Sequence, residues 1–304
     1  MTSINTNSSA MAALQTLRNV NSNLTSTQTA VSTGLRISKA SDNATYWSVA
    51  TTMKSDVGAL GAVSDALGLG AAKVDTAYTA MDSSISIVSQ IKDKLVTAKE
   101  GSVDKTKVQA ELSQLQSQLK SVAQSASFNG ENWVAAASGG DASVVSSFVR
   151  DSSGGVSVSS ATYTFNSGAK GNVLFGASGG SIDTTKGILG TVDASAGGYS
   201  VSSLDISSMT GGQIDSAMTM VETALSAMTS AAAQLGSLSS RIDLQTSFAS
   251  SLSDAITSGV GKLVDANMEE ESSKLSALQT QQQLAIQSLS IANSSSQGIL
   301  SLFR

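Results

Sequence analysis

Residues 263–304 read LVDANMEEESSKLSALQTQQQLAIQSLSIANSSSQGILSLFR. Leu275, Leu278, Gln282, Ala285, Leu289, Ala292, Ser296, Ile299 and Phe303 recur at alternating steps of three and four. That is the period of a coiled-coil seam. The seam is weak, because Gln, Ala and Ser hold several positions where Leu would pack better. Gln279, Gln281, Gln283 and Gln287 flank it, polar but uncharged. After Glu271 only Lys274 and Arg304 carry a side-chain charge. A solvated helix face normally carries Lys and Glu, so this helix calls for a partner.

The partner is sought at the other end of the chain. Ala10, Ala13, Leu17, Val20, Leu24, Thr27 and Val31 also step three and four, and Arg18, Arg36 and Lys39 are the only charges before Asp42. Two weak, nearly uncharged amphipathic helices can pair with each other. Termini are where disorder usually concentrates, so a pattern kept there points to contact.

Composition narrows the function classes. The 304 residues are 40% hydrophobic, enough to bury a sizeable core, and carry a net charge of −5. No basic stripe interleaves with aromatics, which argues against nucleic acid as a partner. No uninterrupted apolar run reaches 18 residues, so no membrane span is expected. The polar stretch Met1 to Ala10 lacks the basic and apolar regions of a secretory signal peptide. The chain has no Cys, His or Pro. Disulfides and thiolate metal sites are thereby excluded, the commonest general base is missing, and long uninterrupted helices are favoured. No cofactor or metal is expected.

Along the chain, the N-terminal helix should stop near Gly34. The polar segment Thr33 to Asn43 should connect it onward, with Asp42 or Asn43 capping the next helix. Helical spacing runs from Ala44 to about Leu69 on Trp47, Val49, Met53, Val57 and Leu60, and a break is expected near Gly68 to Gly70. A second run covers Lys73 to Glu100 (Val74, Tyr78, Met81, Ile85, Val88, Ile91, Leu95, Ala98). A third covers about Asp104 to Ser127 (Val108, Leu112, Leu115, Leu119, Val122). Phe128-Asn129-Gly130 turns the chain. From Ser138 to Gly212 glycine pairs punctuate short β-like runs, Val144 to Arg150, Val156 to Phe165 and Asn172 to Phe175. Helical periodicity resumes at Ile214 and leads into the terminal helix. The expected fold is mainly α with a small β-rich insertion. It is a long antiparallel helical bundle whose N- and C-terminal helices pair as a coiled coil. Residues 1–40 and 261–304 form the terminal coiled-coil domain, 41–137 and 212–260 a helical core domain, and 138–211 a variable outer domain.

Short motifs in order at both ends of this layout resemble the bacterial flagellins. They are Ser3-Ile4-Asn5-Thr6-Asn7, Leu17-Arg18-Asn19-Val20-Asn21, Gly34-Leu35-Arg36-Ile37 with Ala40-Ser41-Asp42-Asn43-Ala44, and Phe128-Asn129-Gly130. Toward the other end stand Leu235-Gly236, Arg241-Ile242, Asp265-Ala266, Glu271, Ala292-Asn293 and Ile299-Leu300-Ser301-Leu302-Phe303-Arg304. The resemblance covers roughly residues 1–135 and 212–304, and its style is that of soil alphaproteobacteria. Ser296 stands where the family usually has Pro, Phe303 where it has Leu, and Tyr46-Trp47 is bulkier than usual.

The resemblance implies a structural subunit that polymerises into the flagellar filament and leaves the cell unfolded through the flagellar type III apparatus. The implied partners are copies of itself, the export apparatus and an export chaperone, the hook-associated junction and cap proteins, and other flagellins as candidate co-subunits. The hook–filament junction protein is the alternative within the same apparatus; the motifs around Arg36 and Phe128 favour the filament subunit. An enzyme is disfavoured. Glu269-Glu270-Glu271 are consecutive and share no helix face, and Gly176 to Gly180 lacks the Gly-Lys-Ser/Thr ending of a phosphate loop.

Three sets of residues carry the functional expectations. Leu17, Leu24, Val31, Arg36, Leu275, Leu278, Leu289, Ile299, Leu302 and Phe303 are expected at the assembly interface. Gln283 and Gln287 are candidates to line the filament's central channel. Gln90, Lys92, Asp93 and Lys94 occupy the stretch that, by resemblance, an animal Toll-like receptor reads as Arg-Val-Arg-Glu-Leu, here in degraded form.

Overall fold

The computed structural model describes residues 7–151 and 153–301, with side chains through Ser294 at the C-terminal end. Five helices dominate: α1 (Ser8–Thr33), α2 (Ala44–Lys99), α3 (Lys105–Ser125), α4 (Gly211–Val264) and α5 (Met268–Ser301). Between α3 and α4 lie three two-stranded antiparallel hairpins: β1 (Ser127–Phe128) with β2 (Glu131–Asn132), β3 (Asp141–Arg150) with β4 (Val156–Thr164), and β5 (Gly176–Ser178) with β6 (Ser181–Asp183). The chain divides into two compact units. One joins the described parts of Met1–Gly58 and Ser253–Arg304, and the other is Ala59–Leu252.

In the second unit α2 presents a near-perfect heptad seam. Leu60, Val63, Leu67, Gly70, Val74, Ala77, Met81, Ser84, Val88, Ile91, Leu95 and Ala98 are all buried, at steps of three and four throughout. From Val63 to Ala98 the seam's apolar members share a core with Val108, Leu112 and Leu119 of α3 and with Ile214, Val221, Met228 and Leu235 of α4. The expected break at Gly68 to Gly70 does not occur, and α2 runs unbroken for 56 residues. Gly70 is there for approach rather than for a turn. A Cβ on it would stand 2.1 Å from Val144 Cγ1 of β3, so the missing side chain is the space into which the hairpin packs.

The seam also corrects individual residues. Trp47, Val49 and Tyr78, read as core-facing, are exposed. Gln116 of α3 is buried, and its Nε2 donates to the carbonyls of Val201 and Leu204 at 3.1 and 3.0 Å. With Gln109, which accepts from Ile206 N–H at 2.9 Å, it fastens the segment leading into α4. An 18-residue window of α2 has a mean hydropathy of 1.3, so by length and composition this helix could cross a membrane. That differs from the reading of the uninterrupted apolar runs.

The insertion is ordered around aromatics. Trp133 stacks on Tyr163 with ring centroids 5.8 Å apart, and Phe165 meets both edge-on at 6.0 and 5.6 Å. Burial pushes the Tyr163 phenol up to about 12, against a smaller downward pull from Asn172. Asn129 (φ 51°) and Gly130 (φ 82°) form the tight turn of β1–β2, as the Asn-Gly pair predicts. Asn172 to Phe175, read as a strand, is instead a buried irregular segment. Leu174 N–H donates to Val134 O at 2.8 Å, and Val173, Leu174 and Phe175 are enclosed.

Gly70→Ala should destabilise the second unit by about 1–3 kcal/mol through overpacking against Val144. Gly68→Ala, in open space, should stabilise it by up to about 1 kcal/mol. Urea denaturation of the two variants checks this; equal midpoints would contradict the packing role of Gly70.

Candidate assembly surface

In the first unit α1 and α5 pack against each other. On α1, Ala10, Ala13, Leu17, Val20, Leu24, Thr27 and Val31 are buried or half-buried. On α5 the same holds for Leu275, Leu278, Gln282, Ala285, Leu289 and Ala292. The seam is shallow: Val20, Thr27, Leu278 and Ala285 are its buried side chains among the described residues, and the rest are half-buried. Two polar bonds set its antiparallel register. Gln282 Nε2 donates to Asn21 Oδ1 at 2.7 Å, and Asn7 Nδ2 donates to Ala292 O at 2.9 Å. Asn7 also caps α1, accepting from Ala10 N–H. Ile299 falls within α5 but beyond the described side chains, and Leu302 and Phe303 lie outside the described residues.

α5 is not a continuation of α4. The chain breaks at Asp265–Asn267, where Ala266 N–H donates to Gly34 O at 2.9 Å. Asn267 then starts α5 by accepting from Glu269 N–H at 3.2 Å, and Glu269, Glu270 and Glu271 occupy the first turn, where the helix dipole favours acids.

The break is clasped to the loop after α1. Gly34 takes the left-handed conformation (φ 70°) that ends α1. Leu35 pairs with Asp265 as an antiparallel bridge, and Arg36 and Ile37 N–H both reach Val264 O at 2.7 and 3.2 Å. The Arg36 guanidinium donates to Leu263 O at 2.8 Å. Beneath the clasp Ile37, Ala50, Val260 and Val264 form a small core. Asp42 does not cap α2. Its Oδ2 accepts the Ser38 and Lys39 N–H and the Ser38 hydroxyl, which holds its carboxyl below the usual range, the Ser38 backbone bond contributing most. Asn43 caps α2 through Tyr46 N–H at 3.1 Å.

Gln283 and Gln287 lie exposed on the side of α5 away from α1. With Gln279, Ser276, Thr280 and Ser290, also exposed, they form an uncharged polar strip. On α2, Gln90 and Asp93 are exposed, whereas Lys92 pairs with Glu222 of α4 and Lys94 with Glu111 of α3. Among the described residues no group of three or more acidic side chains could hold a metal ion. The seam brings Leu17, Leu24, Val31, Leu275, Leu278 and Leu289 together within one chain. Sequence periodicity missed the backbone clasp at Leu35–Ile37, whose one side-chain signal is Arg36.

Residues 4–138 match the bacterial flagellin N-terminal helical region, and residues 218–303 match the C-terminal helical region. The chain belongs to the bacterial flagellins. It is 45% identical over 395 aligned residues to Flagellin A of Rhizobium meliloti and 49% over 322 to Flagellin C of Rhizobium meliloti strain 1021. It is 47% identical over 305 to a flagellin of Brucella melitensis biotype 1; all three alignments span 100% of both chains. As a flagellin it is a structural subunit of the flagellar filament outside the cell. The junction-protein alternative is not favoured.

Proposed function

We propose that the α1–α5 pair is the element through which this flagellin polymerises, and that it orders on assembly. The shallow seam carries this reading. A fully buried Leu is worth about 1.5–3 kcal/mol, while fixing one residue's backbone costs about 1–2 kcal/mol. A helix pair that fully buries so few side chains needs neighbouring copies to hold it. Leu17, Leu24, Val31, Leu275, Leu278 and Leu289 then form the seam of each subunit, and Arg36 clasps its base. Export as an unfolded chain through the type III apparatus, with a chaperone, fits a chain without Cys. Junction and cap proteins are the partners at the filament ends. Hydrogen exchange on monomer should show weak protection across α1 and α5 and strong protection in α2–α4. Equal protection before polymerisation would overturn the reading.

A second element of the same reading concerns the polar strip of α5. A channel that passes unfolded chains of arbitrary sequence works best with a wall that is neither apolar nor charged, since a charged wall holds segments of opposite sign. We propose that Gln283 and Gln287 supply such a wall. Gln283→Glu and Gln287→Glu should each shorten filaments grown on cells, measured by electron microscopy. Wild-type lengths in both would count against it.

The receptor-facing stretch of α2 leads to a further proposal, weak agonism at the animal Toll-like receptor. By the resemblance Gln90 stands where the first Arg would be and Lys92 where the second would be; Lys cannot reproduce Arg's planar bidentate fork, and Lys92 is engaged by Glu222. Purified monomer in a reporter-cell assay should need a concentration several hundred-fold above that of a strong flagellin agonist, from the loss of two Arg anchors worth about 2 kcal/mol each. A response at the same concentration would show it wrong.

A further inference from the structure

The two flanks of the α1–α5 pair are unlike each other. On one flank a groove of about 330 Å³ opens between the helices, lined by Thr16, Val20, Gln281, Leu284 and Ser288 among others. Thr16, Gln281, Leu284 and Ser288 each stand one position before a seam residue (Leu17, Gln282, Ala285 and Leu289). Positions one after a seam residue fall on the opposite flank, because each step turns the helix by about 100°. Leu14, after Ala13, and Ile286, after Ala285, stand there, 38% and 54% exposed. The register set by Asn7–Ala292 and Asn21–Gln282 brings Leu14 level with Ile286 and Ser288. An apolar ridge on one flank therefore lies at the same height as a groove on the other.

We propose that neighbouring subunits meet ridge into groove: Leu14 and Ile286 of one copy seat between Thr16 and Ser288 of the next, against its Leu284. This rests on the reading of the terminal pair as the polymerising element, and it names which face meets which. The occupant is argued from chemistry. No charged side chain lines the groove, and α5 carries none among its described residues C-terminal to Lys274, so the groove favours an apolar edge; Leu14 and Ile286 supply one on the other flank, where Arg18, one turn on from Leu14, is the charged side chain at its margin. Leu284, at the groove's lip, is itself 56% exposed and would be covered by the contact. Because the two faces differ, the contact is heterologous, and repeating it generates a ring or an open helical array rather than a closed dimer.

The chain has no Cys, which permits a direct test. Ile286→Cys and Ser288→Cys are made as separate proteins, mixed in equal amounts with excess unsubstituted protein, polymerised and oxidised. The expected product is a disulfide-linked dimer of one Ile286→Cys chain with one Ser288→Cys chain, found in filaments and not in monomer. Filaments that contain both variants but no mixed dimer overturn this pairing, as do like-with-like dimers from one variant alone. In both cases the filaments still form, so the polymerisation reading survives; unsubstituted protein that fails to polymerise would instead strike at that reading. Ile286→Gln, exposed and without a fold role in the isolated chain, should raise the critical concentration about tenfold, the effect of losing one buried Ile. An unchanged critical concentration also overturns the pairing.

Discussion

The pairing of α1 with α5 is the contact on which the first unit's register depends, and its seam is shallow. In a two-helix seam only two positions in seven face the partner. Here Thr27, Gln282 and Ala285 occupy such positions, and Gln282 contributes a hydrogen bond to Asn21 rather than apolar area. An exposed hydrogen bond of that kind adds specificity of register more than stability, because both groups could be satisfied by water. The pair is thus well aligned and weakly held. A monomer gains little from it, whereas a polymer that covers Leu14, Leu284, Ile286 and Ile291 gains the apolar burial the isolated seam lacks.

The second unit follows the opposite logic. Its α2 seam has Leu, Val, Ile or Met at most positions, fully enclosed by α3 and α4. Around the rim, Lys92, Lys94 and Lys99 of α2 pair with Glu222, Glu111 and Asp215. Exposed pairs of this kind contribute little to stability, yet they fix which helix lies on which side. Glu131 is held below the usual carboxylate range chiefly by the hydrogen bond from Lys73, with a second from the Trp133 indole. That one carboxylate links the aromatic cluster of the insertion to α2.

The terminal seam was fully legible in the sequence, because its period is carried by the side chains themselves: every expected position on α1 and, as far as Ala292, on α5 turned inward. What escaped was decided by contacts distant in sequence. Glycine lowers helix propensity whatever its surroundings, so Gly68 and Gly70 read as a break; only Val144, 74 residues on, reveals why Gly70 stands inside a continuous helix. Gln116 was not among the inward positions read on α3, because its partners, the Val201 and Leu204 carbonyls, lie about 85 residues away near the end of the insertion. The break at Asp265–Asn267 was hidden for the same reason, since the carbonyl that takes up Ala266 N–H belongs to Gly34.

That clasp explains how a weak pair can still be positioned. Two long helices joined only by their own seam could slide by one heptad at small cost, because Ala and Ser fill holes shaped for larger side chains. Gly34, Leu35, Arg36 and Ile37 remove that freedom. Backbone bonds to Val264 and Ala266, a bridge to Asp265 and the Arg36 bond to Leu263 O fix the end of α4 and the break before α5 against the loop that follows α1. The small core of Ile37, Ala50, Val260 and Val264 supports the clasp from below. Register is thereby set at the base, by hydrogen bonds in a loop, and the seam beyond it is left free to be weak. A filament subunit that assembles in one alignment needs its register fixed while its seam stays open to neighbours, and this chain assigns the two to different residues.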